Sequence, residues 1–293
     1  MEKISFFGAS VTKQKNGYAH YLSIKLNVNS ECFGYGGNHL SDAGICFVDN
    51  IVKYQSNFCF IDFFSTSYIK TTNDTIDYLD AIVYKLTNIK CKLIFLFLPR
   101  DDHQSRIPFY NFVKKYLDSK KLYYIDLNEY ISYSSEICRD SVHTTDIGSE
   151  KYADLIYSQF IKNKSKIILP LGVKKNKYDE IKKIDVNQIF QSEVILRGNC
   201  TIIGFYMMIG PKSGLIKINN IKYNIWDVHC HYERETFKLN DLVVNDQLKI
   251  EVLHDDFDHS TCRRPIIDVP KIKELNIKQI YYIGSNLLCN TPK

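Results

Sequence analysis

In the first half of the chain, short uninterrupted apolar runs alternate with longer segments in which apolar residues return every three or four positions. Residues 3–7, 58–64, 92–98 and 122–126 are of the first kind, and they predict strands buried on both faces, as in a parallel sheet. Helical spacing joins Ile76, Leu79, Ile82, Val83 and Leu86, then Phe109, Phe112, Val113, Tyr116 and Leu117, and finally Tyr152, Leu155, Ile156 and Phe160. Strand and helix taking turns in this way predict β-α-β units, with helices on both faces of the sheet.

Beyond about residue 162 the texture changes. Lys and Asn thicken, and then Ile, Val, Tyr and Phe gather in short runs broken by Gly, Asn and Asp. Residues 194–196, 201–209, 214–218, 221–225 and 247–252 are predicted strands, with a spacing that suits an antiparallel sandwich or jelly roll. The expected organisation is an α/β domain over residues 1–163, a boundary region over 164–184 and a smaller all-β domain over 185–293.

Composition narrows the class without naming a function. With 45% hydrophobic and 24% charged residues, the 293-residue chain has a soluble protein's balance and enough length for one large domain or two ordinary ones. The net charge of +5 is spread over scattered lysines rather than one basic block, which argues against nucleic acid as a partner. The basic residues at 174–177, 182 and 183 read as a solvated boundary. No apolar run reaches the length needed to span a bilayer, and the amino terminus has no export-signal pattern. Nine cysteines without a Cys-x-x-Cys pair predict reduced thiols and a cytoplasmic location.

Two segments hold candidate chemistry. The first predicted strand runs into Gly8-Ala9-Ser10-Val11-Thr12, which puts a serine where a parallel strand ends and the chain turns toward a helix. Open α/β sheets bind their ligands at such strand ends, although a helix-capping serine would look the same. Far along the chain, Asp140-Ser141-Val142-His143 precedes an amphipathic helix. Three positions of separation let one turn present the carboxylate to one ring nitrogen while the other faces a serine. A surface loop whose Asp caps the helix is the plainer alternative.

Together these segments resemble the blocks of the SGNH or GDSL hydrolases. Gly8-Ala9-Ser10 is similar to the family's Gly-Asp-Ser, with Ala9 where Asp is usual, and Asp140-x-x-His143 followed by Gly148 is similar to its last block. Phe33-Gly34-Tyr35-Gly36-Gly37-Asn38 stands where the second block falls. The third block departs: where the family has Gly-x-Asn-Asp, this chain has Ser65-Thr66-Ser67-Tyr68. The resemblance covers roughly the first 160 residues. It implies a three-layer α/β/α, flavodoxin-like domain in which Ser10 is the nucleophile, His143 its base and Asp140 the orienting carboxylate. The oxyanion donors would be the amides of Ser10 and Gly37, with Ser67 or Asn38 replacing the family's side-chain amide.

On the same resemblance the activity is serine acyl transfer. An esterase removing O-acyl groups, O-acetyl above all, from a carbohydrate would need no cofactor. An O-acetyltransferase acting on a bacterial surface polysaccharide would draw on acetyl-CoA as donor. A noncatalytic glycan-binding protein on the same fold is the rival, favoured by the altered third block. The expected partner is an acylated carbohydrate or polysaccharide.

Other polar residues are weighed individually. His39 and His103 fall in loops at the predicted site face, where both could contact substrate, and Arg100 could hold an anionic group or form a loop salt bridge. His229-x-His231 would place two imidazoles on one side of a strand, and Asp255, Asp256, Asp258, His259 and Cys262 form a second polar group. Neither completes a familiar ligand set, so no metal is expected. Met207 and Met208 read as core, whereas the 21 tyrosines and Trp226 would suit stacking on sugar rings.

Overall fold

The computed structural model describes residues 2–67, 73–255, 260–266 and 270–290. The chain divides into two compact units, Met1–Asp179 and Glu180–Lys293.

Among the described residues of the first unit, five strands form a parallel sheet: β1 (Lys3–Gly8), β2 (Asn29–Gly34), β3 (Phe58–Asp62), β4 (Lys92–Phe97) and β5 (Tyr123–Asp126). Their order is β2-β1-β3-β4-β5, so the topological switch lies between β1 and β3. Four of the five are the strands that the apolar runs predict. β2 was not among them, because it is an edge strand whose residues, Glu31 and Cys32 included, are largely exposed and leave no apolar run.

Alternate residues of the sheet feed two cores. Ile4, Phe6, Phe58, Phe60, Ile94 and Leu96 pack against Tyr18 and Leu22 of α2 (Tyr18–Leu26) and against Tyr152, Ile156 and Phe160 of α6 (Asp146–Asn163). On the other face Phe95 and Phe97 stack on Phe64, which meets Phe109 of α5 (His103–Ser119). α3 (Ile45–Tyr54) and α4 (Asn73–Asn88) complete the helices of the three-layer architecture, and α1 (Ser10–Lys13) is a single turn after β1. The stretch after α6 stays with this unit. Ile167 is fully buried in its core, Asn176 donates to the carbonyl of Asp77 at 2.7 Å, and the ring of Tyr178 lies 4.9 Å from that of Tyr78.

The second unit is an antiparallel β domain. Its described strands are β6 (Lys182–Phe190), β7 (Glu193–Ile209), β8 (Leu215–Ile218), β9 (Ile221–Asn224), β10 (Arg234–Lys238), β11 (Leu242–Val252), β12 (Leu275–Gly284) and β13 (Leu288–Asn290). β7 runs through both predicted segments 194–196 and 201–209 as one strand, bordered by β11 and β10 on one edge and by β13 and β12 on the other. Its buried positions change parity, from Val194, Leu196, Cys200 and Ile202 to Phe205, Met207 and Ile209. The change coincides with Ile203, the extra residue opposite the Tyr281–Tyr282 step, as a β-bulge requires. Lys278 is the corresponding irregularity in β12, and it interrupts the alternation that would have marked that strand in the sequence.

Candidate active site

Register places the C-terminal ends of three strands side by side, with Gly8 paired to Gly34 on one flank and to Asp62 on the other. A Cβ on Gly8 would overlap the carbonyl oxygen of Asp62 and the hydroxyl of Thr12, so only glycine lets the chain turn here. The amide of Ala9 donates to that carbonyl at 2.9 Å, and Ser10 follows as the first residue of α1. The strand-end turn therefore lifts Ser10 above the sheet.

Ser10 meets a partner from the opposite end of the unit. The loop before α6 is closed by a bridge between Cys138 and Thr144, by donation from Arg139 to the His143 carbonyl at 2.8 Å and by donation from Thr145 to the Ile137 carbonyl at 2.9 Å. Thr145 caps α6 by accepting the amide of Gly148 at 3.0 Å. At the loop's tip, Asp140 Oδ1 accepts the amides of Val142 at 3.0 Å and of His143 at 2.8 Å. His143 Nδ1 lies 2.9 Å from Asp140 Oδ2, and His143 Nε2 lies 2.8 Å from Ser10 Oγ. Partial burial pushes the Asp140 carboxyl up, but the two amides and the imidazole outweigh it and hold the group below its ordinary value. The carboxylate is thus charged where it faces the ring. Gln14 Nε2 donates to the Thr144 carbonyl at 2.9 Å and ties this loop to the segment after α1.

The second-block residues pass beside Ser10. Gly34 is pressed against the backbone of Lys13, and a Cβ on Gly36 would lie 3.9 Å from Ser10 Cβ. Gly37 adopts a left-handed φ of 72°, which suits glycine. Ser67 is buried, and its hydroxyl accepts the amide of Leu40 at 2.7 Å. Asn38 is buried as well and donates through Nδ2 to the Gly36 carbonyl at 3.1 Å. Tyr68, the last residue of the altered third block, lies outside the described residues.

The architecture has solved counterparts. Over 97% of this chain and 91% of the other, the structure matches a two-domain esterase active on acetylated mannans, co-crystallized with mannopentaose, at a TM-score of 0.67 and 12% identity. A second structure of a two-domain esterase active on acetylated mannans gives 0.66 at 11% identity, covering 97% and 92% of the two chains. A putative lipolytic protein of the G-D-S-L family from Desulfitobacterium hafniense matches 54% of this chain and 99% of its own, at a TM-score of 0.48 and 14% identity. The structural neighbours are SGNH/GDSL-family esterases and lipolytic proteins. No protein-family model matches the chain, and no curated protein matches it.

Several neighbouring residues leave no recognisable pattern in the sequence. Asp62, the last residue of β3, is fully buried; burial pushes its carboxyl up to about 6, against the opposing pull of Ser65, Thr12 and the Arg100 charge. Thr12 donates to Asp62 at 3.3 Å and shares a 2.9 Å contact with the hydroxyl of Tyr18. Its only mark in the sequence is a lone carboxylate inside an apolar run. A cleft of about 360 Å³ opens beside Ser10 and His143 and is lined further by Lys13, Gln14, Lys15, Asn16, Arg139 and Asp146.

Other residues singled out in the sequence take up the following places. Arg100 forks onto Asp102, with Nε at 2.6 Å and Nη2 at 3.3 Å, and also donates to the Ser65 carbonyl, which makes it a loop salt bridge. His39 heads the turn into α3, where its amide donates to Asp42 at 2.6 Å. His229 and His231 sit in the turn between β9 and β10 rather than on one face of a strand. The amide of His229 donates to Asp227, and His231 Nδ1 lies 3.7 Å from the Cys262 sulfur. Asp255 pairs with Lys222 at 2.8 Å, while Asp256, Asp258 and His259 lie outside the described residues. Trp226 is packed into the core of the second unit and presents no open face for a sugar; Met207 is core and Met208 half-buried.

Proposed function

We propose that the protein is a serine esterase that removes O-acyl groups, chiefly O-acetyl, from a carbohydrate. The observation that carries this reading is the unbroken line from Asp140 through His143 to Ser10 Oγ, with hydrogen-bond distances at both nitrogens of the ring.

In the reaction, Ser10 Oγ attacks the ester carbonyl as His143 Nε2 takes its proton. The amides of Ser10 and Gly37 receive the developing oxyanion. The sugar hydroxyl leaves with the proton from His143, and an acyl-serine remains. Water then attacks that acyl group with His143 as base again, which releases the carboxylic acid and restores Ser10. Asp140 holds the ring orientation and offsets the charge of the transient imidazolium. Carbohydrate is favoured as substrate because the matching two-domain structure is of an esterase active on acetylated mannans.

The test pairs a fluorophosphonate probe with acetate release from acetylated glycans. Labelling that disappears in Ser10→Ala, together with acetate released by the unaltered chain, supports the reading. Absence of both overturns it.

A further inference from the structure

The cleft beside Ser10 carries a charge that the esterase chemistry does not use. Lys13, Lys15 and Arg139 line it against one carboxylate, Asp146, and the remaining lining residues are Ser10, Gln14, Asn16 and His143. Many other basic residues of this unit have acidic partners: Lys25 with Asp154, Lys85 with Asp49, Lys114 with Asp126, Lys151 with Glu136. Among the described residues, no ion pair engages Lys13, Lys15 or Arg139.

These cations are set in place by the backbone that builds the reacting pair. Lys13 follows Ser10 by one turn of α1, and its side chain passes 3.8 Å from the point a Cβ on Gly36 would occupy. Lys15 follows Gln14, whose amide is anchored on the Thr144 carbonyl. Arg139 adjoins Asp140, and its amide is bound to the His143 carbonyl. Three cations against one lining carboxylate give the cleft a net positive charge, and a concave surface concentrates its field. Guanidinium and ammonium groups bind carboxylate and phosphate oxygens through charge-assisted hydrogen bonds. A site for a neutral sugar would instead be expected to offer broad aromatic faces, and among the described residues no Phe, Tyr or Trp is part of this lining.

We infer that the cleft selects an acidic glycan, in which a carboxylate or phosphate group lies close to the acylated hydroxyl and is held by Lys13, Lys15 and Arg139. This inference rests on the esterase reading for its choice of substrate, but the binding it requires is separable from turnover.

The test compares kcat/KM of the full-length protein on acetylated polygalacturonate, on an acetylated phosphodiester-linked glycan and on acetylated mannan, which is neutral. One of the two acidic polymers is expected to exceed mannan by about tenfold or more, and the gap should close as salt is raised through the range where the Debye length falls below about 5 Å. Lys15→Gln and Arg139→Gln should each raise KM on the preferred acidic polymer roughly threefold to tenfold, with a smaller effect on mannan, while Lys15→Arg and Arg139→Lys largely restore it. Which acidic polymer wins identifies the anion as carboxylate or phosphate. Equal kcat/KM on acidic and neutral polymers, or no differential KM effect in the Gln variants, overturns the inference while leaving the esterase standing. If the protein hydrolyses nothing, calorimetric titration of oligogalacturonate and of a phosphorylated oligosaccharide decides: salt-sensitive binding lost in Arg139→Gln sustains the cleft assignment without the esterase, and absence of binding overturns both.

Discussion

Gly148, in the first turn of α6, lies directly against the carbonyl of Ile137, so close that a Cβ on the glycine would overlap that oxygen. The same carbonyl accepts the amide of Thr145, and the two contacts clamp the base of the loop that carries Asp140 and His143. Gly148→Ala must push the helix and the loop apart. The expected cost is about 1–3 kcal/mol of stability from overpacking. Because a displacement of about 1 Å is enough, ester hydrolysis should fall about a hundredfold. Thermal unfolding and steady-state kinetics on one preparation check both, and undiminished turnover would separate the loop's position from catalysis.

In the proposed mechanism Ser10 and His143 share a single proton, so their removal should not compound. Ser10→Ala and His143→Ala are each expected to lower kcat by about a thousandfold or more, and the double variant should be no slower than the slower single one. Multiplicative losses in a kinetic double-mutant cycle would contradict the shared step.

Burial of Asp62 predicts a pH dependence of stability. Its carboxyl is raised from an ordinary 3.8 to about 6, so between these values the folded chain keeps a proton that the unfolded chain has released. Its contribution to stability is therefore greatest below about pH 4, falls as pH rises toward 6 and stays low above that. Asp62→Asn removes the titration. Relative to wild type, the variant should gain up to about 3 kcal/mol between pH 4 and pH 7.5, measured by denaturant unfolding at both. A constant difference across that range would show that Asp62 does not titrate there.

Ser67 stands where an amide donor is usual in the resembling family, but its hydroxyl accepts the amide of Leu40. Ser67→Ala leaves that buried amide without this acceptor and should cost about 1–3 kcal/mol. Turnover should stay within about tenfold of wild type. A loss of a hundredfold or more without a stability change would instead assign the hydroxyl to the oxyanion.

Where the first unit ends also has a measurable consequence. Ile167 and Tyr178 are buried on it, so a chain ending at Asp179 should unfold cooperatively at a higher temperature than one ending at Asn163. Loss of Ile167 alone removes about 1.5–3 kcal/mol of burial. Equal melting temperatures for two folded truncations would show that residues 164–179 add nothing.

The strands β1, β3, β4 and β5 and the helices α4, α5 and α6 were legible because each buries a face, and burial writes a period of apolar residues into the chain. Burial of a face was not sufficient, since α3 buries Ile45, Cys46, Phe47, Val48 and Ile51 and was not singled out. β2 is an exposed edge, and β12 loses its alternation at Lys278, where a bulge moves the buried side by one position. Trp226 shows the same boundary from the other side: its residue type suits a sugar surface, but only the packing of the second unit determines that it is core.

For the site, the sequence by itself supplied two local arrangements, a serine at a strand end and a carboxylate three positions before a histidine, since each depends on one turn of backbone. Their meeting depends on 133 residues of intervening chain. Packing fixes it, through the register that sets Gly8 between Gly34 and Asp62 and through the clamp of Gly148 on Ile137. The cationic cleft belongs to the same class: Lys13, Lys15 and Arg139 are ordinary surface residues along the chain, and they face one space only because the serine turn and the histidine loop are packed together. Periodic burial is a local signal that a sequence carries openly, whereas convergence of distant polar groups is fixed by the sum of the packing and leaves no period to read.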